Sequence, residues 1–329
     1  MILAGDIGGT SARLALCEPN GTALRIVAEQ TRPSHEYGSL EAIVREFCVS
    51  THGNLRAACF GIAGPVSGGV ARTPNLPWLV ESERLARTLR LETVTLLNDL
   101  EANAYGIAAL APDEFVTLNA GVPDPRGHAA IISAGTGLGE AGMFWDGTEH
   151  RPFACEGGHA DFAPNGEMEV ELLKYLQSKF GHVSWERVLS GPGLHNIYKF
   201  LRDRGHLAGQ PTLVDKECNE ESPGAISRAA IEHRCPRCVQ ALELFVGIYG
   251  AAAGNLALKF MARGGVYLGG GIAPKIIEKL REPNFMEIFV AKGRMRPLME
   301  TIPVRVIMND KAALLGAANY ALSDLSCQQ

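Results

Sequence analysis

The chain has 329 residues, 46% of them hydrophobic and 20% charged, which excludes a mainly disordered protein. Its 37 Gly and 18 Pro follow no period, which excludes a collagen-like one. Lys and Arg number 31 against 36 Asp and Glu, and the net charge of −5 is a poor match to nucleic acid or an anionic membrane. At roughly 150 residues per domain, about two domains are expected.

Ile2–Ile7 reads as a strand, Gly8-Gly9-Thr10 as a glycine turn, and Ala12–Cys17 as a returning strand. Leu40–Val49 looks helical. Ala57–Ile62 is an apolar strand, Glu83–Leu91 a helix, and Glu92–Leu97 a strand that ends in Asn98-Asp99 before a helix over Leu100–Leu110. Strand and helix alternate here, so some of the strands should be parallel. Residues 111–128 read as a Pro/Gly-rich connection. His128–Ser133, the glycine turn Ala134–Gly139 and Glu140–Trp145 then repeat the plan of residues 1–17. Helices follow at Met168–Phe180, after Ser184, and at Gly193–Arg204, Ser222–His233 and Val239–Arg263. Gly265–Leu268 is a strand, and Gly269-Gly270-Gly271 opens a turn into Pro274–Leu280. Val304–Met308 is a strand and Lys311–Leu322 a closing helix. The division expected is 1–110 plus 303–329 as a small α/β domain and 111–302 as a large α+β domain.

No stretch holds the roughly 18 uncharged apolar residues that a membrane span needs. The start, MILAGDIGGTSAR, lacks a basic region before its apolar residues, so a cytoplasmic location is expected. Eight cysteines are too dilute for a disulfide scaffold, and most should be free thiols.

Three glycine-rich turns each follow an apolar strand. Glycine lets backbone N–H groups approach an oxyanion closely, and Thr10 and Thr136 can add hydroxyl donors. Each turn alone could be an ordinary tight turn. No GxxxxGK[ST] occurs. Gly137-x-Gly139-x-x-Gly142 fits GxGxxG, but a dinucleotide fold needs a helix straight after it, and here a strand follows.

DIGGT, SAGTGLG and LGGGIAP resemble, in order, the two phosphate loops and the adenosine loop of the sugar kinase/actin/Hsp70 superfamily. LLNDLEANAYG, EGGHADFAP and SWERVLSGPGL resemble segments of bacterial glucokinases of the hexokinase type. The likeness runs from about residue 2 to residue 322. It implies a two-domain actin-like ATPase (ribonuclease H-like) α/β fold with an interdomain cleft, and ATP-dependent phosphorylation of glucose at its 6-hydroxyl. The cysteine-rich zinc motif of the repressor-related sugar kinases is absent from CEGGHADFAPNGEMEVE.

Asn98 and Asp99 stand at the carboxyl end of a strand, where ligands of open α/β sheets sit. Either could cap the next helix. The resemblance implies Asp99 as catalytic base. It implies Asn75, Asn98, Asp99, Glu156, His159 and Glu186 as sugar contacts. For ATP it implies Asp6, Gly8, Gly9, Thr10, Gly135, Thr136, Gly137, Gly269, Gly270 and Gly271, with Asp6 facing Mg²⁺ through water. From spacing alone, Glu186 also reads as a helix-entry residue after a Ser184 cap, and Asp161 as a turn residue. Cys235-Pro-Arg-Cys238 lacks a second pair of metal ligands. The expected partners are glucose and ATP, with no nucleic acid and no membrane, and with homodimer formation left open. The alternatives are a kinase for another hexose or amino sugar, and a sugar-sensing regulator. DIGGT begins at residue 6, which leaves no room before it for a DNA-reading module.

Overall fold

The structure, a computed structural model, describes residues 1–20, 23–51, 54–73, 76–205 and 222–327. The chain divides into two units. One is Met1–Glu114, Arg151–Ala154 and Asn309–Gln329; the other is Phe115–His150 and Cys155–Met308.

The first unit is built on five strands: β1 (Ile2–Ile7), β2 (Ser11–Asn20), β3 (Ala23–Pro33), β4 (Ala57–Ile62) and β8 (Thr95–Asn98), in the order β3-β2-β1-β4-β8. A β1–β2 hairpin and its β3 extension run antiparallel, while β4 and β8 add on in parallel. β5 (Val66–Ser67), β6 (Val70–Arg72) and β7 (Leu79–Glu81) make a small separate sheet. The strands β1 and β4 are apolar nearly throughout because both of their faces are covered. One core gathers Leu3, Leu14, Phe60 and Ile62 with Leu40, Ile43 and Phe47 of α1 (Leu40–Thr51) and Leu85 of α2 (Ser82–Leu89). The other gathers Ala4, Ala15, Cys59 and Leu97 with Ala102 of α3 (Asp99–Ile107) and Leu314, Ala317 and Ala318 of the closing helix Ala312–Cys327. That helix packs backbone to backbone on α3: a Cβ on Gly316 would lie 1.8 Å from the Ala102 oxygen, and one on Gly106 2.0 Å from the Ala312 oxygen. The fit fixes the axis of α3, the helix whose first residue is Asp99.

The second unit repeats the plan. β9 (Phe115–Asn119), β10 (Ala129–Ala134), β11 (Leu138–Trp145), β12 (His150–Cys155, of which Arg151–Ala154 are counted with the first unit), β13 (Gly265–Gly269) and β14 (Val304–Ile307) lie in the order β12-β11-β10-β13-β14-β9. β10 and β11 form the antiparallel hairpin; β13 and β14 add on in parallel. The order β3-β2-β1-β4-β8 of the first sheet is matched by β12-β11-β10-β13-β14 here, with β9 as an antiparallel edge. The sequence echo between DIGGTSARLAL and SAGTGLGEAGM is thus an echo of structure. The helices α4 (Glu167–Phe180), α5 (Gly191–Arg204), α6 (Pro223–Ile231) and α7 (Pro236–Phe260) build the core with this sheet. By length and hydropathy α7 would also pass as a membrane span, but 78% of its apolar window is buried inside the protein. Its small residues are packing surface: a Cβ on Gly250 would lie 2.4 Å from the Phe285 oxygen.

Because Val304–Ile307 pairs with β13, the chain returns to the first unit at Asn309, later than the 303 expected from sequence. The stretch 111–128, expected as a connection, contains the edge strand β9.

Candidate functional site

In the first unit Asp6 sits opposite Arg13 across the β1–β2 pair. Arg13 donates to the Asp310 carboxylate at 3.0 Å and to its backbone oxygen at 3.1 Å, and stands 4.0 Å from Glu29. Burial pushes the Asp6 carboxyl above the usual carboxylate range; Arg13 pulls it back and Asp310 adds to the rise. The turn beside it is braced by Ser34, whose hydroxyl donates to the Gly8 oxygen at 2.8 Å and whose N–H donates to the Thr10 oxygen at 2.9 Å. The Gly8 and Thr10 carbonyls are therefore engaged from the protein side and the Gly8 N–H donates to Ser11 O at 2.9 Å, which suits a turn whose other N–H groups face an anion.

Asn98 ends β8 and caps α3. Its Oδ1 accepts from Leu100 N at 2.9 Å and Glu101 N at 3.4 Å, and its Nδ2 donates to the Gly64 oxygen at 3.0 Å. The cap thus falls to Asn98. Its oxygen is committed to the helix, so Asn98 can meet a sugar only as a donor. Asp99, half-buried in the first turn, accepts from Leu100 N at 3.0 Å. Glu101 is also half-buried, and burial raises its carboxyl.

In the second unit the turn Gly135–Gly137 joins β10 to β11 with Ala134 opposite Leu138. Gly135 N donates to Gly137 O at 2.8 Å, and Gly191 N at the start of α5 donates to Gly135 O at 2.8 Å. The third turn lies beside it. Gly270 has φ +78°, a conformation that favours glycine, and a Cβ there would lie 2.4 Å from the Ala134 oxygen, which also accepts from Ile272 N at 3.2 Å.

Glu186 is bound to the second turn. Its Oε2 accepts from Leu138 N at 3.0 Å and would lie 2.6 Å from a Cβ on Gly137. Here the structure corrects the sequence reading. Ser184 makes no side-chain cap, and Glu186 lies in a single 3-10 turn, Trp185–Arg187. The cap belongs to Ser190: its Oγ accepts from Gly193 N at 3.0 Å and donates to the Glu186 oxygen at 2.7 Å.

The Glu156–His159 segment is a 3-10 turn over Gly157–His159 rather than open loop. It lies on the start of β11: a Cβ on Gly158 would be 2.1 Å from the Leu138 oxygen. It is joined to the Glu186 segment by Trp185 N donating to Ala160 O at 3.0 Å. The Glu156 and His159 side chains are 57% and 61% exposed, with Oε2 and Nε2 3.9 Å apart. The beginning of β11 thus gathers Glu186, the 156–159 turn and the Gly135–Gly137 turn, with the Gly269–Gly271 turn alongside.

Asn75 lies outside the described residues. Trp78 is buried, its Nε1 donating to the Tyr37 oxygen at 3.0 Å, so it is core. Asp161 forms an isolated bridge with Ser184 and accepts from His182 Nε2 at 2.8 Å. Cys235 is disulfide-bonded and caps α7 by accepting from Cys238 N at 3.3 Å; Cys17, Cys48, Cys59 and Cys155 are free thiols. One residue that the sequence reading passed over is Glu140, buried within an otherwise apolar strand. A charge at an inward position of such a strand was the signal.

Among the described residues no group of three or more His, Cys, Asp or Glu is set to hold a metal. Magnesium asks for less: a carboxylate or two, phosphate oxygens and waters. A single desolvated carboxylate beside a glycine turn, Asp6, fits that demand.

Two sheets of one strand order, each with a strand–glycine turn–strand hairpin at its centre, define an actin-like ATPase fold. The Glucokinase family model matches residues 3–324. A curated glucokinase of Nostoc sp. is 42% identical over 334 residues, covering 97% of this chain and 98% of that protein. Among solved structures, a glucokinase from an Antarctic psychrotroph superposes with a TM-score of 0.85 at 31% identity, covering 98% of each chain. A ROK family glucokinase from Streptomyces griseus, in complex with glucose and AMPPNP, gives a TM-score of 0.66 at 22% identity, covering 98% of this chain and 99% of that one, a likeness of fold. The chain belongs to the glucokinase family.

Proposed function

We propose that this chain transfers the γ-phosphoryl group of ATP to the 6-hydroxyl of glucose, giving glucose 6-phosphate and ADP. The observation that carries the reading is 42% identity over nearly the whole chain to a curated glucokinase. The convergence at the start of β11 supports it locally. Glu186 grips the backbone of the Gly135–Gly137 turn through Leu138 N, so the groups proposed for sugar and for phosphate are built into one piece of structure.

Phosphoryl transfer asks the protein for positioning and charge stabilisation more than for covalent chemistry. In this reading Glu156, His159 and Glu186 hold the sugar hydroxyls, with Asn98 donating one N–H and Asn75 a further contact. Asp99 accepts the 6-hydroxyl proton as that oxygen attacks. The N–H groups of Gly9, Thr10, Thr136 and Gly137 meet the phosphates; Gly8 and Gly135, whose own N–H groups donate to Ser11 O and Gly137 O, shape the two turns, and Gly269, Gly270 and Gly271 line the place of the nucleoside. Asp6 faces Mg²⁺ through water; the ion, when bound, neutralises charge on the phosphates. ATP as donor makes the cytoplasm the proposed place of action.

The test is a coupled assay of ADP formation with ATP and Mg²⁺ on a panel of glucose, mannose, fructose and glucosamine. Glucose should give the highest kcat/KM, and the no-sugar control should be silent. A higher kcat/KM on glucosamine would move the assignment to an amino-sugar kinase.

A further inference from the structure

Leu138–Trp145 carries one ionisable residue, Glu140, and it is only 4% exposed. A buried carboxylate is costly unless something holds it there. Lys259 supplies an opposing charge at a distance, yet burial dominates and pushes the carboxyl up. What the side chain touches is the 156–159 turn. A Cβ on Gly157 would lie 2.0 Å from Glu140 Oε2 and 2.8 Å from its Cδ; the next atom, Cys155 Sγ, is 3.5 Å away. Gly157 is not among the positive-φ glycines, so its backbone would accept an L-residue. Space rather than backbone conformation demands glycine there, and both contacts under 3.0 Å come from Glu140. The Cys155 thiol donates to the Glu140 backbone oxygen at 3.4 Å and ties the approach to the turn to the same residue.

We infer that Glu140 is a positioning residue: its carboxyl is the seat of the Gly157–His159 turn and thereby sets the reach of Glu156 and His159 toward the sugar. The inference rests on the reading of that turn as sugar-binding.

Wild type, Glu140→Ala, Gly157→Ala and the double variant are compared in KM for glucose, KM for ATP, kcat and thermal midpoint. Gly157→Ala should raise KM for glucose at least about tenfold, and Glu140→Ala about three- to tenfold, with KM for ATP within about twofold of wild type. In the Glu140→Ala background the two closest atoms are gone and Cys155 Sγ lies at an ordinary 3.5 Å, so Gly157→Ala should cost less than about twofold there, a coupling that independent sites do not show. Glu140→Gln keeps the shape and should keep KM for glucose. Should Glu140→Ala fail to fold, Glu140→Ser clears the same space. Equal effects of Gly157→Ala in both backgrounds, or a lowered midpoint of Glu140→Ala with KM unchanged, would overturn the inference. Wild-type turnover of glucose separates the two claims: its absence sinks the functional reading, whereas additive kinetics in an active enzyme sink only the role of Glu140.

Discussion

Asp99 stands one residue past the Asn98 cap, at the carboxyl end of a buried strand. The division of labour between the two neighbours gives the proposed base a specific test. Asp99→Asn keeps the shape and a hydrogen bond but cannot take a proton. It should lower kcat about 10²- to 10⁴-fold while glucose still binds by calorimetry. Glu156→Gln removes a contact made in ground and transition states alike, so KM for glucose should rise more than kcat falls. Near-full kcat in Asp99→Asn would remove Asp99 from the chemistry and leave it a first-turn helix residue. Asp6 adds a pH dependence. Its carboxyl is raised in the folded chain by burial, so the fold favours its protonated form. The stability it contributes is present below the unfolded carboxylate range and is lost as pH rises through the folded value. Asp6→Asn should therefore raise the thermal midpoint at pH 7–8, with the gain fading in acid, while phosphoryl transfer falls. A lower midpoint at neutral pH would show that the carboxylate is not the burden its burial implies.

The helix α3 is set by a neighbour as much as by its own sequence. Gly316 of the closing helix leaves no room for a methyl against Ala102. Gly316→Ala should cost about 1–3 kcal/mol, the usual penalty for overpacking a tight core, and should lower kcat by tilting Asp99. Urea denaturation and kinetics measure both; an unchanged midpoint would mean that the helices part freely. The glycine turns were legible in the sequence because each follows an apolar strand long enough to show as one. Strands β5, β6 and β7, of two or three residues, are too short to leave a period and were missed. Glu186 was misplaced at a helix entry because Ser184-Trp-Glu-Arg has the composition of a cap, while the hydroxyl that does cap a helix is Ser190, six residues later in the chain. Glu140 was passed over because a single charge inside a strand shows its meaning only once Gly157 is seen lying on it. The proton-taking role of Asp99 was legible only through resemblance, since its spacing is equally that of a helix start.

Across the whole chain, one strand order is used twice, with a glycine turn at the heart of each sheet. That duplication accounts for the two similar sequence segments, DIGGT and SAGTG, each a glycine turn between paired strands of its own sheet. The proposed function asks for Mg²⁺ held by phosphate oxygens and waters beside Asp6. EDTA should abolish activity, and added Mg²⁺ alone should restore it fully; recovery that needs zinc would contradict the reading of Cys235 as a disulfide and cap residue. The most direct measurement is the glucose-dependent release of ADP from ATP and Mg²⁺, with the sugar product identified by glucose-6-phosphate dehydrogenase. The account predicts one glucose 6-phosphate per ADP, lost in Asp99→Asn. ADP release that is indifferent to glucose, or a sugar phosphate that the dehydrogenase does not oxidise, would contradict it.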